Sequence, residues 1–312
     1  MKRALIIAFV FALSNFAMSQ IVYDRFYHAL EESDSVEMET AINEIRASED
    51  QSAERYIAEY NYYIKKALVY SGVTMSKEYP DEYVDVIGEV LQFSDSTDTE
   101  AGYMYAVNQW DEEMANRAVD VINKGIEMYP ERLDMHYGKI HLMRMMRWWN
   151  AYADAIHATL DYAEKHRKAM VFPDGKDPID TILIEGILDY ERDLLEAIQK
   201  SPDSLAFATR VELLRGIAEH MLRIYPKDVY YLNIMAVSYQ LVEDRKNALN
   251  WLLKAEKVAP KDATVLSNIA DTYHLMGDTG KERKYLEKVI KYDDGEYAER
   301  AKQYLEELNN NQ

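Results

Sequence analysis

The turn Pro-Lys-Asp occurs twice, at Pro226-Lys227-Asp228 and Pro260-Lys261-Asp262, 34 residues apart. Each copy follows a mixed apolar and charged segment compatible with a helix, Met221 to Tyr225 and Ala255 to Ala259. A fixed period of this length constrains the fold more tightly than composition does. One period is a single supersecondary unit, too small to bury its own apolar face, so neighbouring units must stack. With 11 Gly and 7 Pro in 312 residues the chain is poor in breakers, which suits helices joined by short turns and not an all-β fold. The apolar share of 48% is enough for a sizeable core.

Within Val229 to Asp262 the residues fall into a pattern. Leu232 and Met235 supply large apolar side chains in a first helix, Ala236 a small residue, and Tyr239 an aromatic. Ala248, Leu252 and Ala255 follow in a second helix that Pro260 ends. Small residues let two helix backbones approach and large ones fill the grooves beside them, and proline cannot continue the helical ladder. The next unit begins at Ala263 and reads Leu266, Ile269, Ala270 and Tyr273, then Leu286 and Val289. It departs from the pattern at Glu282 and Asp294, where Ala and Pro would be usual.

On these residues the chain resembles the tetratricopeptide repeat (TPR) superfamily. The resemblance implies an all-α fold of antiparallel helix-pair repeats stacked in a right-handed superhelix, with a concave groove commonly used to bind peptides or proteins. It names no ligand, because fold does not fix function. Upstream the pattern is degenerate. Ala118, Ile122, Gly125 and Pro130 match a second helix, Leu133 to Trp149 opens the next unit, and Ala151 to Arg167 closes it. Val171 to Asp177 is the clearest break, with Asp177 and Pro178 as a start signal for the helix that follows. The expected organisation is a signal peptide over 1–19, an N-terminal helical region over 20–98 and degenerate repeats over 99–170. A loop with a long helical hairpin fills 171–228, two full repeats fill 229–296, and a capping helix with a tail fills 297–312. Asp34 with Glu37 resembles a capping box, and Ser94 to Asp98 reads as a loop.

Lys2 and Arg3 precede an apolar stretch, Ala4 to Leu13, that is too short to span a bilayer. Ala17-Met18-Ser19 offers a cleavage pattern before Gln20. The expectation is an exported protein, periplasmic or secreted, with no integral membrane segment in the mature chain. No Cys is present, which excludes a disulfide and a lipoprotein anchor. With 36 basic and 55 acidic residues the net charge is −19, a field that repels nucleic acid and suits a cationic partner or simple solubility.

No nucleophilic Cys, GxSxG, HExxH or Gly-rich phosphate loop occurs, so no catalytic residue, cofactor or metal site is expected. His157 and Asp161 are four residues apart, but two ligands alone bind weakly and read as a surface pair. Glu191, Asp193 and Glu196 read as a solvated face. The candidate partner-binding residues form two groups. By family register the groove slots include Tyr230, Asn233, Asp271 and His274, with Thr264 and Ser267 between, and Asn268 beside them. Basic clamp residues are absent there, which argues against a carboxylate-clamp adaptor. In the second group Tyr137, His141, Arg144 and Trp148 follow i, i+4, i+7, i+11 spacing and share one helix face. An aromatic–arginine face suits a hot spot, although aromatic stripes at helical spacing are more often core, with the arginines snorkelling. The functional reading is an adaptor for a protein or peptide partner. The alternative is a binder of a small molecule or glycan, which exposure of Trp110, Trp148 or Trp149 in a deep pocket would favour.

Overall fold

Aspartates start most of the C-terminal helices. In the computed structural model the carboxylate of Asp228 accepts from the amides of Tyr230 and Tyr231, and Asp262 accepts from Val265. The Pro-Lys-Asp motif thus ends one helix with proline and caps the next with aspartate, satisfying amides that have no partner within the helix. Asp244 and Asp278 cap the second helices in the same way, accepting from Asn247 and Lys281.

The structure describes residues 17–310 apart from 49, 79, 81–84, 95–100, 174 and 200–203. Most of the expected signal peptide and most of the 94–98 loop lie outside the described residues. Two compact units divide within one helix, the first running to Tyr190 and the second from Glu191.

The first unit opens with α1 (Ala17–Glu32), α2 (Ser35–Ala47) and α3 (Ala53–Ala67). After a sheet come α4 (Glu112–Met128), α5 (Leu133–Met145), α6 (Trp149–His166), a 3-10 turn (Arg167–Ala169) and the start of α7 (Ile179–Gln199). Asp34 caps α2 through the amides of Val36 and Glu37. Glu37 does not close a reciprocal box; its carboxylate takes Arg25 Nε at 2.7 Å.

The sheet is a departure from the expected helical N-terminal region over 20–98 and from the start of the degenerate repeats expected over 99–170. Strands β1 (Leu68–Ser76), β2 (Asp85–Ser94) and β3 (Ala101–Trp110) pair antiparallel in the order β1-β3-β2. Helix α3 runs straight into β1, and the amide of Asp111 after β3 returns to Ala67 O at 2.7 Å. At the other end the Tyr129 hydroxyl donates to Gln51 O at 2.6 Å. Helices α3 and α4 are therefore an antiparallel pair, and the sheet is inserted in their connection. Ile57, Tyr60, Ala115, Ala118 and Ile122 share one core cluster between them. An alanine Cβ at Gly125 would lie 2.9 Å from Tyr56 Cβ, so the small residue expected at that crossing is required.

In the second unit α8 (Ser204–Ile224) follows α7, then α9 (Val229–Gln240), α10 (Arg245–Val258), α11 (Ala263–Leu275), α12 (Thr279–Tyr292) and α13 (Glu296–Asn310). Ala236, Ala248 and Ala255 are each 0% exposed, as crossing positions require. Leu232, Leu252, Leu266, Ile269, Leu286 and Val289 join one core. Tyr297, Leu305 and Leu308 of α13 pack against it, closing its open end.

One turn geometry recurs in four helix pairs. Ser33, Arg147, Glu243 and Gly277 all adopt positive φ (57°, 54°, 59° and 74°). In each case the next amide reaches back to the carbonyl five residues earlier: Asp34 to Ala29, Trp148 to Met143, Asp244 to Tyr239 and Asp278 to Tyr273, at 2.8 to 3.0 Å. This is the Schellman closure of a helix end. The pairs α1/α2, α5/α6, α9/α10 and α11/α12 thus share one helix-end turn.

Candidate functional site

Groove slots of a first helix recur along one face, and α9 and α11 both present such a face. Tyr230 opens it, 38% exposed on α9. Asn233, half-buried, accepts from Asn268 Nδ2 at 2.8 Å, so the two asparagines join α9 to α11. Further toward the helix C-termini, Gln240 Nε2 donates to Thr272 Oγ1 at 3.0 Å. Thr264 and Ser267 are not open, in contrast to their expected role. Helix α13 covers them: Tyr297 Oη meets Thr264 Oγ1 at 3.1 Å, and Arg300 Nη2 donates to Ser267 Oγ at 2.5 Å.

Past Ser267, α11 carries Asp271 and His274 into a pocket of about 280 Å³ bounded by α11, α12 and α13. His274 is exposed, and its Nδ1 lies 2.9 Å from Oε1 of Glu282, a residue of α12 that is 4% exposed. Burial raises the Asp271 carboxyl above its ordinary range; Arg300 and His274 pull it down and Glu282 pushes it up. Asp271 and His274 were legible as slots. Glu282 was visible only as a residue where alanine was expected.

On the aromatic–arginine face of α5 Tyr137 is buried, while His141, Arg144 and Trp148 are half-buried, as a stripe at the edge of the core would be. Tyr137 is buried, its hydroxyl donating to Ile182 O at 2.9 Å, and its ring meets Tyr190 edge-on at 5.6 Å. Arg144 Nη2 approaches Nδ1 of His141 at 3.4 Å. Burial, reinforced by the Arg144 charge, lowers the His141 pKa to about 4. Trp148 and Trp110 are half-buried against the α3/α4 core. The 3.6-residue period that aligned these side chains is the one that builds a core stripe, and the turn at Arg147 folds α6 back over it. Glu191 is a correction: read as part of a solvated face, it is 0% exposed, and burial lifts its carboxyl well above the ordinary range.

No family model matches this chain, and no curated protein matches it. Similar solved structures include a thermophilic TPR protein of Thermus thermophilus, at 14% identity and a TM-score of 0.40 over 62% of this chain and 92% of that one. A tetratricopeptide repeat protein from Parabacteroides merdae is 10% identical at a TM-score of 0.36, over 94% of this chain and 88% of that one. The TPR2AB domain of yeast Sti1, solved as a complex with pHSP90, is 12% identical at 0.29, over 94% and 97%. The repeat assignment rests on this chain's own turns and crossings.

Proposed function

We propose that this chain is an exported, non-catalytic adaptor that holds a peptide segment of another protein along α9 and α11. The observation that carries this reading is the half-buried asparagine pair Asn233–Asn268 beside exposed Tyr230, on first helices whose other faces fill the core. Side-chain amides with spare donors and acceptors can pair with an extended backbone, and a rigid tyrosine adds contact area at low entropic cost. The small-molecule alternative needs exposed indoles in a deep pocket, and Trp110 and Trp148 are half-buried against the core of the first unit. Export is supported by Lys2, Arg3 and the short apolar run to Leu13. No helix among the described residues is long and apolar enough to cross a membrane.

A photo-crosslinking amino acid at Tyr230 tests the groove, with one at Val258, 40% exposed on α10, as control. Expressed in its native envelope, the protein should give a defined adduct from position 230 and none from 258. Identical adducts from both positions, or none from either, would reject the groove. N-terminal sequencing of the mature protein should begin near Gln20.

A further inference from the structure

At position 282 the repeat pattern and the residue disagree. One 34-residue period earlier stands Ala248, 0% exposed; the same slot in the last helix pair holds Glu282, 4% exposed. A buried carboxylate is unfavourable unless its oxygens are hydrogen-bonded or its charge is met. One oxygen is satisfied: a carboxylate can only accept, so His274 Nδ1–H donates to Oε1 at 2.9 Å. The other, Oε2, is buried with no hydrogen-bond partner among the described residues, and Glu282 lines the pocket.

The rest of the pocket narrows the chemistry of what fits. Asp271 and Glu307 add negative charge, His274 and Tyr304 add polar tips, and Leu275, Leu286 and Leu308 supply apolar walls. Arg300 donates to Ser267 Oγ at 2.5 Å and reaches Asp271 Oδ2 at 3.5 Å, so it meets one oxygen of Asp271 and does not reach Glu282. An anion is repelled, and a neutral apolar group leaves Oε2 unmet. A guanidinium is a planar fork that seeks two adjacent acceptors, and only Oε2 of Glu282 is without a partner. A primary ammonium is a compact point charge on a flexible alkyl stem, with three donors to distribute. That stem matches the leucine walls and that charge matches Glu282 and Asp271.

We infer that this pocket takes the ammonium group of a lysine side chain on a partner protein, with Glu282 Oε2 and Asp271 as acceptors and the leucines against its methylenes. The protein source of the lysine rests on the adaptor reading above; the chemistry of the pocket does not.

Methyl NMR signals of Leu275, Leu286 and Leu308 in the full chain would report binding. The probes are n-butylammonium chloride, 1-pentanol as its neutral match, and a capped lysine pentapeptide with its norleucine counterpart. Butylammonium should give saturable shifts, with pentanol at least about tenfold weaker, and the lysine peptide should bind at least about tenfold tighter than the norleucine peptide. Glu282→Gln should weaken butylammonium binding about tenfold or more. If that variant is unfolded by circular dichroism, Asp271→Asn at its half-exposed site carries the same test, with about a threefold loss or more expected. Equal shifts from butylammonium and pentanol, or saturation by neither, would overturn the pocket assignment. Saturable butylammonium binding without preference for the lysine peptide would overturn the lysine source and count against the adaptor reading instead.

Discussion

The joint of the first unit is an ion cluster whose removal has a calculable effect. Arg132, just before α5, is 8% exposed; its Nε and Nη2 donate in parallel to the two oxygens of Asp134, at 2.9 and 2.8 Å, and Nη1 to Glu54 at 2.8 Å. Asp134 is 2% exposed. The same segment pairs with the chain after α6: Val171 donates to Glu131 O at 2.8 Å, and Leu133 to Val171 O at 3.0 Å. Glu54 of α3 and Asp134 of α5 therefore meet at one guanidinium, and the chain at 171 pairs with the backbone on either side of it. Replacing Arg132 by Met keeps most of the apolar volume and leaves Asp134 buried without its cation. Removing one partner of a buried pair destabilises by about 3–5 kcal/mol. In the double variant Arg132→Met/Asp134→Leu no stranded charge remains, and such replacements are near neutral, within about 1–2 kcal/mol. Glu54, with 35% of its side chain exposed, should matter little: Glu54→Ala should cost about 0–1 kcal/mol. Urea unfolding followed by circular dichroism, with the m-value checked for two-state behaviour, gives all three numbers. If the single Arg132 variant were no less stable than the double, the cluster would not be held by a desolvated charge, and the reasoning would fail.

Two further effects follow from local geometry. His141 is held neutral by burial and by Arg144, with its pKa lowered to about 4, so stability from this site is full above the unfolded histidine value and is lost as pH falls toward the folded one. Wild type should therefore lose about 2 kcal/mol relative to His141→Asn between pH 7 and pH 5, and parallel pH–stability curves would rule this out. Glu243 occupies the left-handed turn position that glycine fills at 277, with φ of 59° and 74°. Glu243→Gly should raise stability by about 0.5–1 kcal/mol in thermal unfolding, and a lower melting temperature would contradict the strain.

What could be read in the sequence was what packing dictates. Ala236, Ala248, Ala255 and the Pro-Lys-Asp turns have no freedom in a stacked helix pair, and they occupy the places their spacing assigns. The sheet was hidden for a physical reason. Leu68 to Ser76 continues the apolar pattern of α3 without a break, and a short apolar run has no period that separates a strand from a helix. Its β-branched Val69, Val73 and Thr74 were the available signal. Because β1 to β3 sit inside the α3/α4 connection, they displace Ala118 and Ile122 from any 34-residue relation to α3. The face of α5 could not be told from core for the opposite reason: Tyr137 and Trp148 are aligned by the helical period that also serves a core. Left-handed turns at Ser33 and Arg147 were invisible because neither is glycine.

In a repeat array the pattern residues are explained by stacking, so functional information lies in residues that break the pattern at a cost to stability. The inserted sheet breaks it without that cost. It lies in a helix connection, and its Val73, Met75 and Leu91 are 61%, 65% and 51% exposed, so the α3/α4 core does not depend on them. Glu282 differs in kind. Its slot is buried whichever residue fills it, as Ala248 shows one period earlier, and alanine there would bury no charge and leave no acceptor unmet. A carboxylate in that slot buries charge where alanine would not, and the one contact it adds between α11 and α12 is the hydrogen bond from His274. The His274 hydrogen bond meets only one of its two oxygens. A residue retained against the packing preference of its own repeat is best accounted for by a ligand that meets the second oxygen, which is why the C-terminal pocket, and not the larger aromatic face of α5, is the place to look for the partner's contact.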